Sequence, residues 1–178
     1  MLDGAARLAA QASGRVRAAV SDVGHVSAAM ASERARSAWG TLRPVHWRGE
    51  ARELLRAADL AVVASGTATL EAAALGVPQV IVYRTGWLNY QIARRLLRVD
   101  SIGLANLVVR GKAAPELIQD RACGASIAAE LARLLTDPPS RGAQAHAFAR
   151  LPELLGGPGS ADRAADALIE FASGRRSG

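Results

Sequence analysis

Leu60-Ala61-Val62-Val63-Ala64-Ser65-Gly66-Thr67-Ala68-Thr69-Leu70-Glu71 is the stretch from which the fold is read. Leu60 to Ala64 is a continuous apolar run, the mark of a strand covered on both faces. Ser65-Gly66-Thr67 is a turn, and Ala68 to Leu75 reads as a helix closed by Gly76. The pattern then repeats, with Pro78 to Tyr83 (PQVIVY) as a second buried strand and Leu88 to Leu97 as a helix. Upstream, 1–13 and Val26 to Trp39 read as helices, Arg15 to Val20 and Pro44 to Trp47 as short strands, and Glu50 to Ala58 as a helix. Downstream, a loop runs through Asn106. The rest reads as helical over Pro115–Gln119, Ala125–Leu135, Arg141–Leu151 and Ala161–Ala172, with a frayed tail from Ser173. Strands alternating with helices predict an α/β fold with a doubly wound parallel sheet.

The 178 residues hold one domain, or two small ones, and 50% hydrophobic residues are enough for a core. Cys123 is the only cysteine, which excludes an intramolecular disulfide and a cysteine-based zinc cluster. No apolar run approaches the roughly 20 residues of a membrane span, and Met1 to Arg7 has no signal-peptide core. These features point to a soluble, intracellular protein. The net charge is +6, and Lys112 is the only lysine. Arginine in excess reflects either a GC-rich coding sequence or attraction to polyanions, and net charge does not choose between them.

In an open parallel sheet, ligands sit beyond the C-terminal ends of the strands. That rule selects the loops Ser65-Gly66-Thr67-Ala68-Thr69-Leu70-Glu71 and Tyr83-Arg84-Thr85-Gly86. The first opens a helix, whose free N–H groups and dipole suit a phosphate. It is neither a P-loop nor a GxGxxG fingerprint, and spacing alone favours Ser65 or Thr67 as a simple helix cap. Glu71 can accept from a ribose diol or simply complement the helix dipole. Arg84 can hold a phosphate bidentately or form an ordinary surface pair. Arg94, Arg95 and Arg98, beside Trp87 and Tyr90, form either a membrane-surface patch or the solvated face of a core helix. His25, His46 and His146 follow no metal-ligand spacing, so no metal is expected, and no catalytic triad is visible.

Further motifs occur in order along the chain. They are Gly49-Glu50-Ala51-Arg52-Glu53-Leu54-Leu55, Ala57-Ala58-Asp59-Leu60, Ala64 to Ala72, Gly76-Val77-Pro78, Val82-Tyr83-Arg84, Asn106-Leu107, Pro115-Glu116-Leu117-Ile118-Gln119 and Leu155-Gly156-Gly157-Pro158-Gly159. Together they resemble the lipid-A-disaccharide synthases over most of the chain. That family consists of GT-B glycosyltransferases, with two Rossmann-like domains and a cleft between them. The resemblance implies inverting, metal-independent hexosyl transfer from UDP-2,3-diacylglucosamine to 2,3-diacylglucosamine 1-phosphate, with no cofactor, at the inner face of the bacterial cytoplasmic membrane.

Carried over residue by residue, the resemblance places Ser65, Gly66 and Thr67 at the diphosphate and Glu71 at the ribose; Thr69 adds a further hydroxyl donor to the same donor-binding loop. Trp47, Arg48 and Gly49 fall near uracil, and Tyr83, Arg84 and Asn106 line the cleft. It assigns no catalytic residue to this chain, because the base would lie in an N-terminal domain that these residues do not include. The implied partners are the UDP-sugar donor, a lipid-linked acceptor, an anionic membrane surface, and a separate N-terminal half or a second copy of the chain. Nucleic acid is not expected, since aromatic residues are 4% and no recognition motif occurs. The alternative is a non-catalytic nucleotide- or membrane-surface-binding fragment of the same family.

The expected layout is an incomplete Rossmann-like domain over 1–152 and a helical segment over 153–178. Departures from the family pattern are Ala105 where a proline usually precedes the asparagine, and Arg110-Gly111-Lys112 after it. In the strand order 3-2-1-4-5-6 the first strand is central, and the resemblance starts after it. The sheet is therefore expected to lack its central strand and the fold to be marginal.

Overall fold

The computed structural model describes residues 1–12, 16–21, 42–86 and 101–172. In chain order the described elements are α1 (Leu2–Gln11), β1 (Ala19–Ser21), β2 (Val45–Trp47), α2 (Ala51–Arg56), β3 (Ala61–Ala64), α3 (Thr67–Ala74) and β4 (Gln79–Tyr83). They continue with α4 (Leu104–Val109), β5 (Glu116–Ile118), a 3-10 turn at Gln119–Arg121, α5 (Gly124–Thr136), α6 (Pro138–Phe148), α7 (Leu151–Leu154) and α8 (Ser160–Ala172). The helices expected over Val26–Trp39 and Leu88–Leu97, with the basic aromatic stretch of the latter, lie outside the described residues, as does the tail from Ser173.

The strands pair in parallel, as a crossover αβ pattern requires. β3, β4 and β5 form one sheet in that order, and β1 and β2 form another. The registers put Ala64 beside Val82, and Tyr83 beside Ile118. The C-terminal ends of β3, β4 and β5 therefore share one edge. Among the described residues β1 and β3 are not paired. The order β2-β1 followed by β3-β4-β5 is that of the two wings of 3-2-1-4-5-6, with no described strand at the centre.

β4 shows why both faces of the sheet are covered. Successive side chains of a strand point to opposite faces. Val80 and Val82 enter one cluster with Leu8 of α1, Leu117 of β5, and Ile127, Leu131 and Leu134 of α5, where Val16, Leu60 and Val62 also pack. Ile81 enters the other cluster with Ala73 of α3, Ala105 of α4, Phe148 of α6 and Leu151 of α7. The result is an α/β/α arrangement around a three-stranded parallel centre, in keeping with a Rossmann-like domain. α1 lies close on α5 because Gly4 has no side chain: a Cβ there would sit 2.6 Å from Cβ of Ile127.

Two readings of the sequence change. Pro115–Gln119 is not helical; Glu116 to Ile118 form β5 on the open edge of β4. Only Leu117 of that strand is fully buried, so the segment is too short for its own periodicity to decide, and pairing with β4 settles it. The expected loop ending at Asn106 instead carries α4, closed by Arg110 in the left-handed conformation.

Buried amide side chains join these layers. Gln144 on α6 accepts from the Gln79 N–H at 2.8 Å and donates to the Gln79 carbonyl at 3.0 Å. Gln79 in turn donates to the Thr69 carbonyl at 2.9 Å. A primary amide carries one donor group and one acceptor, so it can act as a neighbouring strand for a single residue. Gln144 does this at the start of β4, within the segment that the sequence reads as a second buried strand.

Candidate functional site at the C-terminal edge of the sheet

The turn after β3 is built on Gly66, whose φ of 152° is open to glycine alone. A Cβ there would meet nothing within 4 Å, so the backbone faces open space. Gly66 is also the residue preceding α3, and no side chain caps that helix. The capping roles that the sequence allowed for Ser65 and Thr67 are thus not taken up. The Ser65 hydroxyl donates to the Ile102 carbonyl at 2.7 Å. The Thr69 hydroxyl donates to the Gly66 carbonyl at 2.7 Å and accepts the Ala105 N–H at 3.3 Å. Thr67 is exposed at the mouth of the turn, and Glu71 is exposed one turn further along α3. An uncapped helix start offers backbone N–H donors and the positive end of the dipole to an anion.

Tyr83 and Arg84 leave the same edge from β4. Val80 to Val82 are buried, whereas Tyr83 is 37% exposed and Arg84 is exposed. The next residue, Thr85, is held at both backbone atoms. Its N–H donates to Oε1 of Gln119 at 2.9 Å, and its carbonyl accepts from Nε2 of Gln119 at 3.0 Å.

Asn106 sits on α4 and is 1% exposed. Its side chain is engaged on every side. Nδ2 donates to the Ala114 carbonyl and to Oε1 of Glu116, each at 2.8 Å, and Oδ1 accepts the Ala114 N–H at 2.9 Å. Glu116 also accepts from the N–H groups of Ile102 and Gly103, each at 3.0 Å. Asn106 therefore borders the edge through the turn that it secures. Ala105 fits this arrangement: where the family pattern has proline, its N–H reaches Thr69, a bond proline cannot make.

Trp47, Arg48 and Gly49 leave the end of β2, in the other sheet. The Trp47 indole donates to the Glu50 carbonyl at 2.9 Å. Its ring lies over Gly49, where a Cβ would come within 2.8 Å of the ring. This short loop leads into α2, which touches α3 and so links the two wings. Ser65, Gly66, Thr67, Thr69, Tyr83, Arg84 and Asn106 are gathered at or just behind the edge of the three-stranded sheet, with Glu71 on the adjoining helix; Trp47 to Gly49 connect to α3 by way of α2.

The residues that sequence reasoning missed as functional supports are Glu116 and Gln119. They were read as part of a motif on a helix, which would have pointed them differently. Among the described residues no group of three His, Cys, Asp or Glu side chains is placed to hold a metal, and no helix is long and apolar enough to cross a membrane.

A parallel α/β sheet with an open helix start, an exposed arginine and small hydroxyl residues at its C-terminal edge defines a Rossmann-like domain. The comparisons with known proteins make this specific. The family model for lipid-A-disaccharide synthetase matches residues 7–168. The chain is 48% identical over 118 residues to the lipid-A-disaccharide synthase of Syntrophus aciditrophicus, covering 66% of this chain and 31% of that protein. It is 40% identical over 129 residues to the enzyme of Geobacter metallireducens, covering 72% of this chain and 34% of that protein. The chain belongs to the lipid-A-disaccharide synthase family, and it spans about a third of the length of the curated relatives it matches.

Proposed function

We propose that this chain is the donor-binding part of a lipid-A-disaccharide synthase. Its donor is a UDP-linked diacylglucosamine, its acceptor is 2,3-diacylglucosamine 1-phosphate, and the step belongs to lipid A biosynthesis. The observation that carries this reading is the uncapped start of α3 behind Gly66, beside Arg84 at the shared strand edge.

The chemistry follows from that edge. The bond between the anomeric carbon and the diphosphate oxygen breaks as the acceptor 6-hydroxyl attacks from the opposite face. The bonding electrons leave with UDP. Backbone N–H groups at the start of α3, with the guanidinium of Arg84, stabilise the charge growing on the leaving diphosphate. Hydrogen bonds from fixed backbone donors act without reorganisation during the step, which is why such groups lower the barrier. Glu71, exposed on α3, accepts from the ribose diol, and Trp47 to Gly49 border the uracil. The proton of the acceptor hydroxyl goes to a base outside this chain, in an N-terminal half. The site works at the inner face of the cytoplasmic membrane, where the lipid-linked acceptor is presented.

Calorimetric titration of the chain with UDP tests this reading. Saturable binding is expected, with the Glu71→Ala variant weakened about tenfold for the loss of hydrogen bonds to a charged acceptor. A cooperatively folded chain with no UDP binding would refute it.

A further inference from the structure

Gln119, the residue after β5, has φ of 51°, in the left-handed region that residues other than glycine seldom occupy. Such a conformation persists where its surroundings over-determine it. Here the cause is visible: the carboxamide is tied to both backbone atoms of Thr85, one residue beyond Arg84. Three residues earlier on β5, Glu116 reaches the other flank of the edge and accepts from Ile102, Gly103 and Asn106. The turn at Ile102 is itself bonded to Ser65, beside the start of α3.

The two positions make opposite chemical demands. Glu116 receives three donors and gives none, which only a carboxylate does. Gln119 receives one and gives one, which only a primary amide or a protonated carboxyl does. We infer that Gln119, with Glu116 beside it, is a positioning residue for the sugar-nucleotide donor, bracketing the Arg84-Thr85 loop and the Ile102–Asn106 turn so that Arg84 and the start of α3 converge on one diphosphate. This rests on the donor-site reading above.

The test uses Gln119→Glu, which keeps the shape and removes the donor. At about pH 7.5 the introduced carboxylate faces the Thr85 carbonyl, and UDP binding to the full chain should weaken about tenfold relative to the parent. Near pH 5 a carboxyl held against a carbonyl takes up a proton and regains one donor and one acceptor. The variant-to-parent affinity ratio should then return to within about threefold; taking the ratio at each pH cancels the titration of UDP itself. Gln119→Gly is the second variant. It relieves the left-handed backbone and so stays folded, yet it too should bind UDP about tenfold more weakly. Equal affinity of both variants and the parent would overturn the positioning role while leaving the donor site standing. A folded parent that does not bind UDP would overturn the donor reading, and this inference with it.

Discussion

Asn106→Asp replaces one side-chain atom, and its cost can be worked from the contacts. Nδ2 lies 2.8 Å from Oε1 of Glu116 and 2.8 Å from the Ala114 carbonyl. The substitution puts an oxygen in its place, leaves the Ala114 carbonyl unpaired, and sets two carboxylates against each other. At an effective dielectric constant near 20, two unit charges at that separation repel by about 6 kcal/mol. The pair escapes by binding a proton, which for a carboxyl of ordinary affinity costs about 5 kcal/mol at pH 7.5 and about 1.5 kcal/mol at pH 5. Glu116 is only half-buried, so solvent screening lowers the higher figure to roughly 3–5 kcal/mol. The introduced carboxyl is thus raised in affinity for protons in the folded state. Its stabilising protonated form is complete below the unfolded-state value and lost as pH rises through the folded one. Against a typical stability of about 5–15 kcal/mol the variant should be strongly weakened at pH 7.5 and recover most of the difference at pH 5. Urea unfolding followed by circular dichroism at both pH values measures this. A difference below about 1 kcal/mol that does not change with pH would refute the buried network.

Two further outcomes follow from local geometry. Gly4→Ala should destabilise by about 1–3 kcal/mol through overpacking against buried Ile127, lowering the melting temperature by roughly 2–4 °C per kcal/mol. Gly142→Ala on α6, where a Cβ meets nothing within 4 Å, should leave it unchanged or raise it. The Ser126 hydroxyl beside Cys123, at 3.3 Å, is the leading cause holding its thiol below the ordinary cysteine value. Ser126→Ala should therefore raise the thiol and slow its alkylation near pH 7, since only the thiolate reacts; an unchanged rate would remove Ser126 as the cause.

The parallel α/β class was legible because Leu60–Ala64 and Val80–Tyr83 are apolar runs, each leading into a glycine-marked turn. The loops at the C-terminal edge of the sheet were legible for the same reason, since strand direction alone names them. The buried polar supports were not. Gln79 offered a signal, as a polar residue inside an apolar run, but its partner Gln144 is 65 positions away. Glu116 and Gln119 were placed on a helix because three strand residues carry no decisive period, and their partners at Ile102 and Thr85 lie on separate loops. Asn106 was read from a motif as a cleft residue; only its three hydrogen bonds, to Ala114 and Glu116, show it securing the turn.

That β1 and β3 are unpaired among the described residues shows the division most clearly. Local sequence decided where strands and helices begin, because burial on one or both faces leaves a periodic trace in the chain itself. It also decided that Gly66 forms the turn, since the required backbone is closed to other residues. Tertiary structure decided which strands pair, with β5 joining β4 and the sheet dividing into two wings. It also decided which hydroxyls are already engaged, since those of Ser65 and Thr69 bond to segments 37 and 36 residues distant, respectively. Hydrogen-bond partners are chosen by proximity in space, and buried donors and acceptors must be satisfied wherever the chain returns to meet them.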